Sequence, residues 1–160
     1  MRIRLAGVVA VTVAVAAGIL AGPVLAADTP AAKTAPGSPL AKVAFPLAPF
    51  PLADDGTYAA FMADVAKSLN RTCGRLESYG WEFAGQEGGA RMEQVATVIK
   101  ATMGNFEKVG YRLDKAQTVT LPDPDMSVYT AVKEPATLLL LWAPLPDSAM
   151  LLLCDASASN

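Results

Sequence analysis

Side chains that could do chemistry are few in this chain. It holds two cysteines, Cys73 and Cys154, and no histidine. A reactive thiol needs a neighbouring base or a C-x-x-C partner to become thiolate. Neither is present, so the two thiols are expected to form a structural disulfide. A loop of that length would contribute roughly 4 kcal/mol by constraining the unfolded chain. The missing imidazole removes Ser-His-Asp and Cys-His mechanisms, histidine-bearing zinc sites and histidine-ligated haem. Carboxylate pairs and a Ser-Lys pair remain, because nearly every protein carries their parts.

The remaining candidates read as structure. Asp123 and Asp125 alternate with Pro122 and Pro124, and turn formation accounts for that pattern better than calcium binding, which needs an oxygen-rich loop. Glu77, Glu82 and Glu87 have no spacing that would pair them as acid and base. Gly85, Gly88 and Gly89 are not followed by the Lys-Ser/Thr of a phosphate loop. Met92 and Met103 recur at helical spacing among aliphatics, which is the pattern of core filler rather than of a soft-metal site. The chain is accordingly expected to be non-enzymatic and to need no cofactor and no metal.

The front of the sequence says where it works. Arg2 and Arg4 precede an uncharged run from Leu5 to Ala27 that is rich in Ala, Val and Leu and closes on small residues. A charged start, an apolar middle and a small-residue end are the parts of a bacterial-type secretory signal. Cleavage after about Ala26 would leave a periplasmic or secreted product. The run could also span a bilayer if kept as an anchor, and membrane contact is expected only in that case. The chain carries 13 Lys and Arg against 15 Asp and Glu. Losing Arg2 and Arg4 takes the net charge from −2 to −4, which is ill suited to nucleic acid.

Residues 27–53 follow as a Pro-rich arm. Its first part, 27–42, has the composition of a flexible tether. Its second part, 43–52, holds Phe45, Leu47, Phe50 and Leu52 among three prolines. These side chains are too apolar for a free linker, so they pack on the chain's own domain or dock on a partner.

A single domain is expected over 54–156, with a frayed tail at 157–160. Asp54 to Thr57 offers N-cap side chains. Tyr58, Phe61, Met62, Val65, Leu69 and Cys73 then step by three and four, which predicts a helix ending near Gly74 or running on towards Gly80. Trp81 and Phe83 read as core anchors on a short extended piece. Met92, Val95, Ala96, Ile99, Met103 and Phe106 predict a second helix stopped by Gly110. Beyond it the period falls to two, with strands expected at 111–119, 126–133, 137–143 and 149–155. Short connections make them antiparallel neighbours. The expected fold is α+β: two helices packed on one face of a four-stranded antiparallel meander, in the order α-α-β-β-β-β, with the disulfide joining the first helix to the last strand.

Leu138 to Trp142 and Met150 to Cys154 are apolar without alternation, so both faces of the sheet should be covered. By parity, Met150, Leu152 and Cys154 share one face, while Leu151 and Leu153 share the other. The second cover is expected to be the arm, another copy of the protein or an envelope partner. The resulting expectation is an accessory binding module acting through its sheet and arm. Its docking candidates are Phe45, Leu47, Phe50, Leu52, Leu151 and Leu153. A domain binding a small apolar ligand or lipid is the alternative, and an enzyme using carboxylates or a Ser-Lys pair is a further one.

Overall fold

The computed structural model describes residues 33–83 and 89–158. The leader expected over 1–26, the start of the arm up to residue 32, the loop at 84–88 with Glu87, and residues 159–160 lie outside the described residues. Three two-residue strands come first: β1 (Gly37–Ser38), β2 (Val43–Ala44) and β3 (Phe50–Pro51). Helix α1 (Thr57–Ser68), β4 (Arg71–Glu82) and helix α2 (Gly89–Lys108) follow. The chain ends in β5 (Arg112–Lys115), β6 (Ser127–Lys133), β7 (Ala136–Pro144) and β8 (Ser148–Ala158). Strands β1 and β2 pair as a small antiparallel ribbon, and the other six form one antiparallel sheet in the order β3-β4-β8-β7-β6-β5.

Helices and antiparallel strands are thus both present, but the four-stranded, helices-first meander is corrected. The sheet has six strands, and β4 runs between the two helices in sequence. Asn70 explains the difference. It takes a left-handed backbone (φ 54°) and ends α1, so Cys73 falls on a strand although its spacing matches the helix phase. The disulfide accordingly joins β4 to β8, with the two Cα atoms 5.7 Å apart. The β4–β8 register shifts between Cys73 and Leu76. Within that bulge Gly74 lies against the Asp155 carboxylate, which would have to swing aside to admit a Cβ.

Local sequence sets the helix ends. Asp54 accepts backbone N–H bonds from Gly56 and Tyr58 at 2.9 Å and from Ala59 at 3.1 Å, capping α1. Beyond α2, Gly110 adopts φ 96°, and the Tyr111 N–H donates back to the Phe106 carbonyl at 3.0 Å.

The helices lie on opposite faces of the sheet. On one face, Met62, Val65 and Ala66 of α1 pack with Leu139, Leu141, Leu152 and Cys154, and Val119 and Leu121 of the β5–β6 connection join them. On the other, Val95, Val98 and Phe106 of α2 and Ala41, Val43 and Phe45 of the arm pack with Tyr79, Trp81, Leu140, Trp142, Leu151 and Leu153. The non-alternating runs in β7 and β8 thus bury both parities, each leucine contributing about 1.5–3 kcal/mol. Strand β8 continues through Ala158, where Arg71 lies opposite. Among the described residues no helix is long and apolar enough to cross a membrane.

Candidate functional site

The arm is built into the fold from its own backbone outwards. Trp81 Nε1 donates to the Leu47 carbonyl at 2.8 Å, Ser78 Oγ to Leu52 O at 2.8 Å, and Asn105 Nδ2 to Ala44 O at 2.9 Å. Phe45 meets Tyr79 and Trp81 edge to face, with ring centroids 4.8 and 5.5 Å apart. Among the six docking candidates, Leu151 and Leu153 are fully buried, Phe45 is 8% exposed and Leu47 is 48% exposed. Phe50 and Leu52 are half-buried. The arm and the sheet therefore cover each other, and Leu47 alone among the six presents a largely open side chain. Cys73 and Cys154 are brought together, and no described cysteine is free. The bond is compatible with an oxidising compartment outside the cytoplasm.

A polar cluster fastens the start of the arm. The Glu77 carboxylate on β4 accepts from Ser38 Oγ, from the Leu40 N–H at 2.8 Å and from Tyr79 Oη at 3.0 Å. Ser38 Oγ in turn accepts the Ala41 N–H at 2.9 Å. Burial, and after it the negative charge of Glu77, raises the Tyr79 phenol well above its ordinary value. A serine bonded to a carboxylate resembles an activated nucleophile. Here, however, the hydroxyl is buried and engaged as donor and acceptor together. The cluster works as a clasp that satisfies polar groups where the arm crosses β4. Sequence reasoning missed it because Ser38 sits in a stretch with the composition of a tether, 39 positions from Glu77.

The two Asp candidates are turn residues, as their prolines imply. Asp123 Oδ1 accepts the Asp125 N–H at 2.8 Å. A hollow of about 480 Å³ beside the β4–β8 bulge is lined in part by Thr72, Arg75, Asp155 and Ser157. Those polar groups satisfy one another, with Arg75 Nε 3.5 Å from Asp155 Oδ2 and the Thr72 and Ser157 hydroxyls 2.6 Å apart.

The open apolar surface lies elsewhere, between α2 and the β5–β6 side of the sheet. A groove of about 740 Å³ runs there. Met92, Ile99 and Met103 form its helical wall, Leu113 and Tyr129 its sheet wall, and Lys100, Glu107 and Asp125 add charge. Met92 is 49% exposed. Behind Met103, the buried Trp142 donates its indole N–H to the Met103 Sδ at 3.2 Å, a weak acceptor for a buried donor. The expectation of core filler does not hold for Met92, and Met103 is only partly buried. Part of the apolar face of α2 stays in water. Strand β5, at the end of the sheet, borders the groove. At the other end, β3 is two residues long and contains Pro51, which blunts that edge.

Comparison with family models, curated proteins and solved structures returns no match. The functional reading of the chain accordingly rests on its own surface chemistry.

Proposed function

We propose that this chain is an exported, non-enzymatic binding module of the periplasm or the secreted space, docking through the α2–β5 side of its domain. The groove carries this reading: an open apolar channel bounded by Met92, Ile99, Met103, Leu113 and Tyr129. Its apolar lining is rimmed by Lys100, Glu107 and Asp125, the arrangement of an apolar centre and polar rim found at docking surfaces. Methionines suit it to a partner surface because they repack at little cost. The leader-like N-terminus and the disulfide support the location. Support for a non-enzymatic role comes from the missing histidine and from Ser38, whose hydroxyl is spent on the clasp.

A second reading draws on the same groove. Its volume lies within the span of small-molecule sites, about 300–1,000 Å³, so a small apolar ligand or lipid is the alternative occupant. Site-specific photo-crosslinking tests both. A benzophenone side chain at position 92, in the groove, is compared with one at position 64 on the exposed side of α1. Discrete protein adducts from position 92 and none from position 64 support docking. A bound lipid in the native mass spectrum, without protein adducts, transfers the groove to the alternative. Equal adducts from both positions, or neither product, refute the reading.

A further inference from the structure

The free edge of β5 carries a pattern that matches itself. Strand β5 pairs with β6 so that Arg112 faces Val132, Leu113 faces Ala131, Asp114 faces Thr130 and Lys115 faces Tyr129. One position further along the same register, the Ala116 N–H donates to Val128 O at 2.9 Å. In an antiparallel ladder, bonded and non-bonded pairs alternate. Positions 112, 114 and 116 therefore bond to β6, and Leu113 and Lys115 turn their N–H and C=O groups to the open side. An outward row of this kind is a template for another strand.

Reversed and laid against itself about Leu113, the segment Tyr111 to Lys115 places Arg112 opposite the Asp114 of a second copy, and Asp114 opposite its Arg112. Leu113 then meets Leu113, and Tyr111 meets Lys115. Opposite charges directly across a strand pair stabilise it, and like charges do the reverse. Sliding the register to centre on Arg112 sets arginine against arginine, and centring on Asp114 sets aspartate against aspartate. Charge thus selects one register out of three. Both side chains are available for it, since Arg112 is 74% and Asp114 60% exposed. Their present contact, 3.0 Å within one strand, is a surface pair of little worth. The backbone fits the same centre. The Leu113 pair can exchange two hydrogen bonds, and each Lys115 N–H can reach the facing Tyr111 carbonyl. The Tyr111 N–H is already committed to Phe106.

From this complementarity we infer that the occupant of the α2–β5 side is a second copy of this chain, joined edge to edge at β5 into a two-fold dimer with one continuous sheet. The inference rests on the binding-module reading and specifies its partner. The arrangement is isologous and closes on itself, so it stops at two copies. Leu113 borders the groove, so the grooves of the two copies run into one another across the two-fold. Four hydrogen bonds make a short seam, and the dimer is expected to be concentration-dependent in the micromolar range.

Sedimentation equilibrium on protein purified after expression of the full chain, over a hundredfold range of concentration, tests it. Wild type should pass from monomer to dimer. R112D and D114R should each dimerise about tenfold more weakly, with unchanged melting temperature because both sites are exposed. The double variant R112D/D114R should recover wild-type affinity. An equimolar mixture of the two single variants should form heterodimers, because each supplies the charge that the other lacks. Monomeric wild type at every concentration, or single variants that associate as well as wild type, would overturn the inference. Foreign-protein adducts from position 92 alongside monomeric wild type would overturn it while leaving the binding-module reading intact.

Discussion

Replacing Phe45 by alanine separates an arm that belongs to the core from one held in reserve for a partner. Its ring is 8% exposed and packs edge to face on Tyr79 and Trp81. Truncating a buried phenylalanine forfeits its transfer free energy and leaves a cavity, together about 3–5 kcal/mol. The two aromatic contacts place the expected loss at about 4 kcal/mol. A domain of this size holds about 5–15 kcal/mol in all, so the variant should fold but be marginal. With a urea dependence of about 2 kcal/mol per molar, the unfolding midpoint should drop by about 2 M. Trp81 and Trp142 are both 1% exposed, so intrinsic fluorescence reports the transition directly. Leu47→Ala is the control. That side chain is 48% exposed, and its contribution to the fold is its carbonyl, which accepts from Trp81 whatever side chain it carries. Its stability should therefore stay within about 0.5 kcal/mol of wild type. A Phe45→Ala loss below about 1 kcal/mol would refute the view that the arm is a structural layer.

Reducing the Cys73–Cys154 bond, which closes an 81-residue separation, should cost about 4 kcal/mol in urea titrations with and without reductant, by the loop-entropy account. Glu77→Gln should cost about 1–3 kcal/mol by the same assay, because the amide cannot accept from Ser38, the Leu40 N–H and Tyr79 together. Burial raises the phenols of Tyr79 and Tyr111 in the folded state. Both favour the protonated form, so their contribution is complete below the unfolded tyrosine value of 10.0 and is lost as pH rises beyond it. Melting temperature should be insensitive to these groups up to about pH 10 and fall above it, and Tyr79→Phe should flatten the fall.

What the sequence discloses depends on how locally each feature is encoded. The second helix is legible because its spacing by three and four is uninterrupted, and the strands around Val128, Leu140 and Leu152 because they are short runs of strand-forming or apolar residues between turn signals. Strand β4 is not. Gly74 and Gly80 interrupt it, Arg71, Arg75 and Glu77 charge it, and Cys73 happens to continue the phase of α1. Its identity is settled by pairing with β8, a partner far away in sequence. The first expected strand, 111–119, shrinks to four residues because Ala116, Val119 and Leu121 turn to cover the α1 face. The need for a second cover over Leu151 and Leu153 can be read from their lack of alternation. The arm could be named among the candidate covers from its apolar residues, but the share taken by α2 could not, since the helix spacing does not show which face of the sheet a helix meets. The groove escaped for a related reason: Met92 and Met103 have the spacing of core residues, and exposure is a property of the assembled molecule.

The place of β8 bears on when the molecule can form. The last strand of the chain lies in the interior of the sheet, between β4 and β7. Strands β5, β6 and β7 form a meander from pairings close in sequence, whereas the long ladder of β4 forms only when Ser148–Ala158 pair with it. Closure of the sheet is thus its most non-local step and is expected to come late in folding.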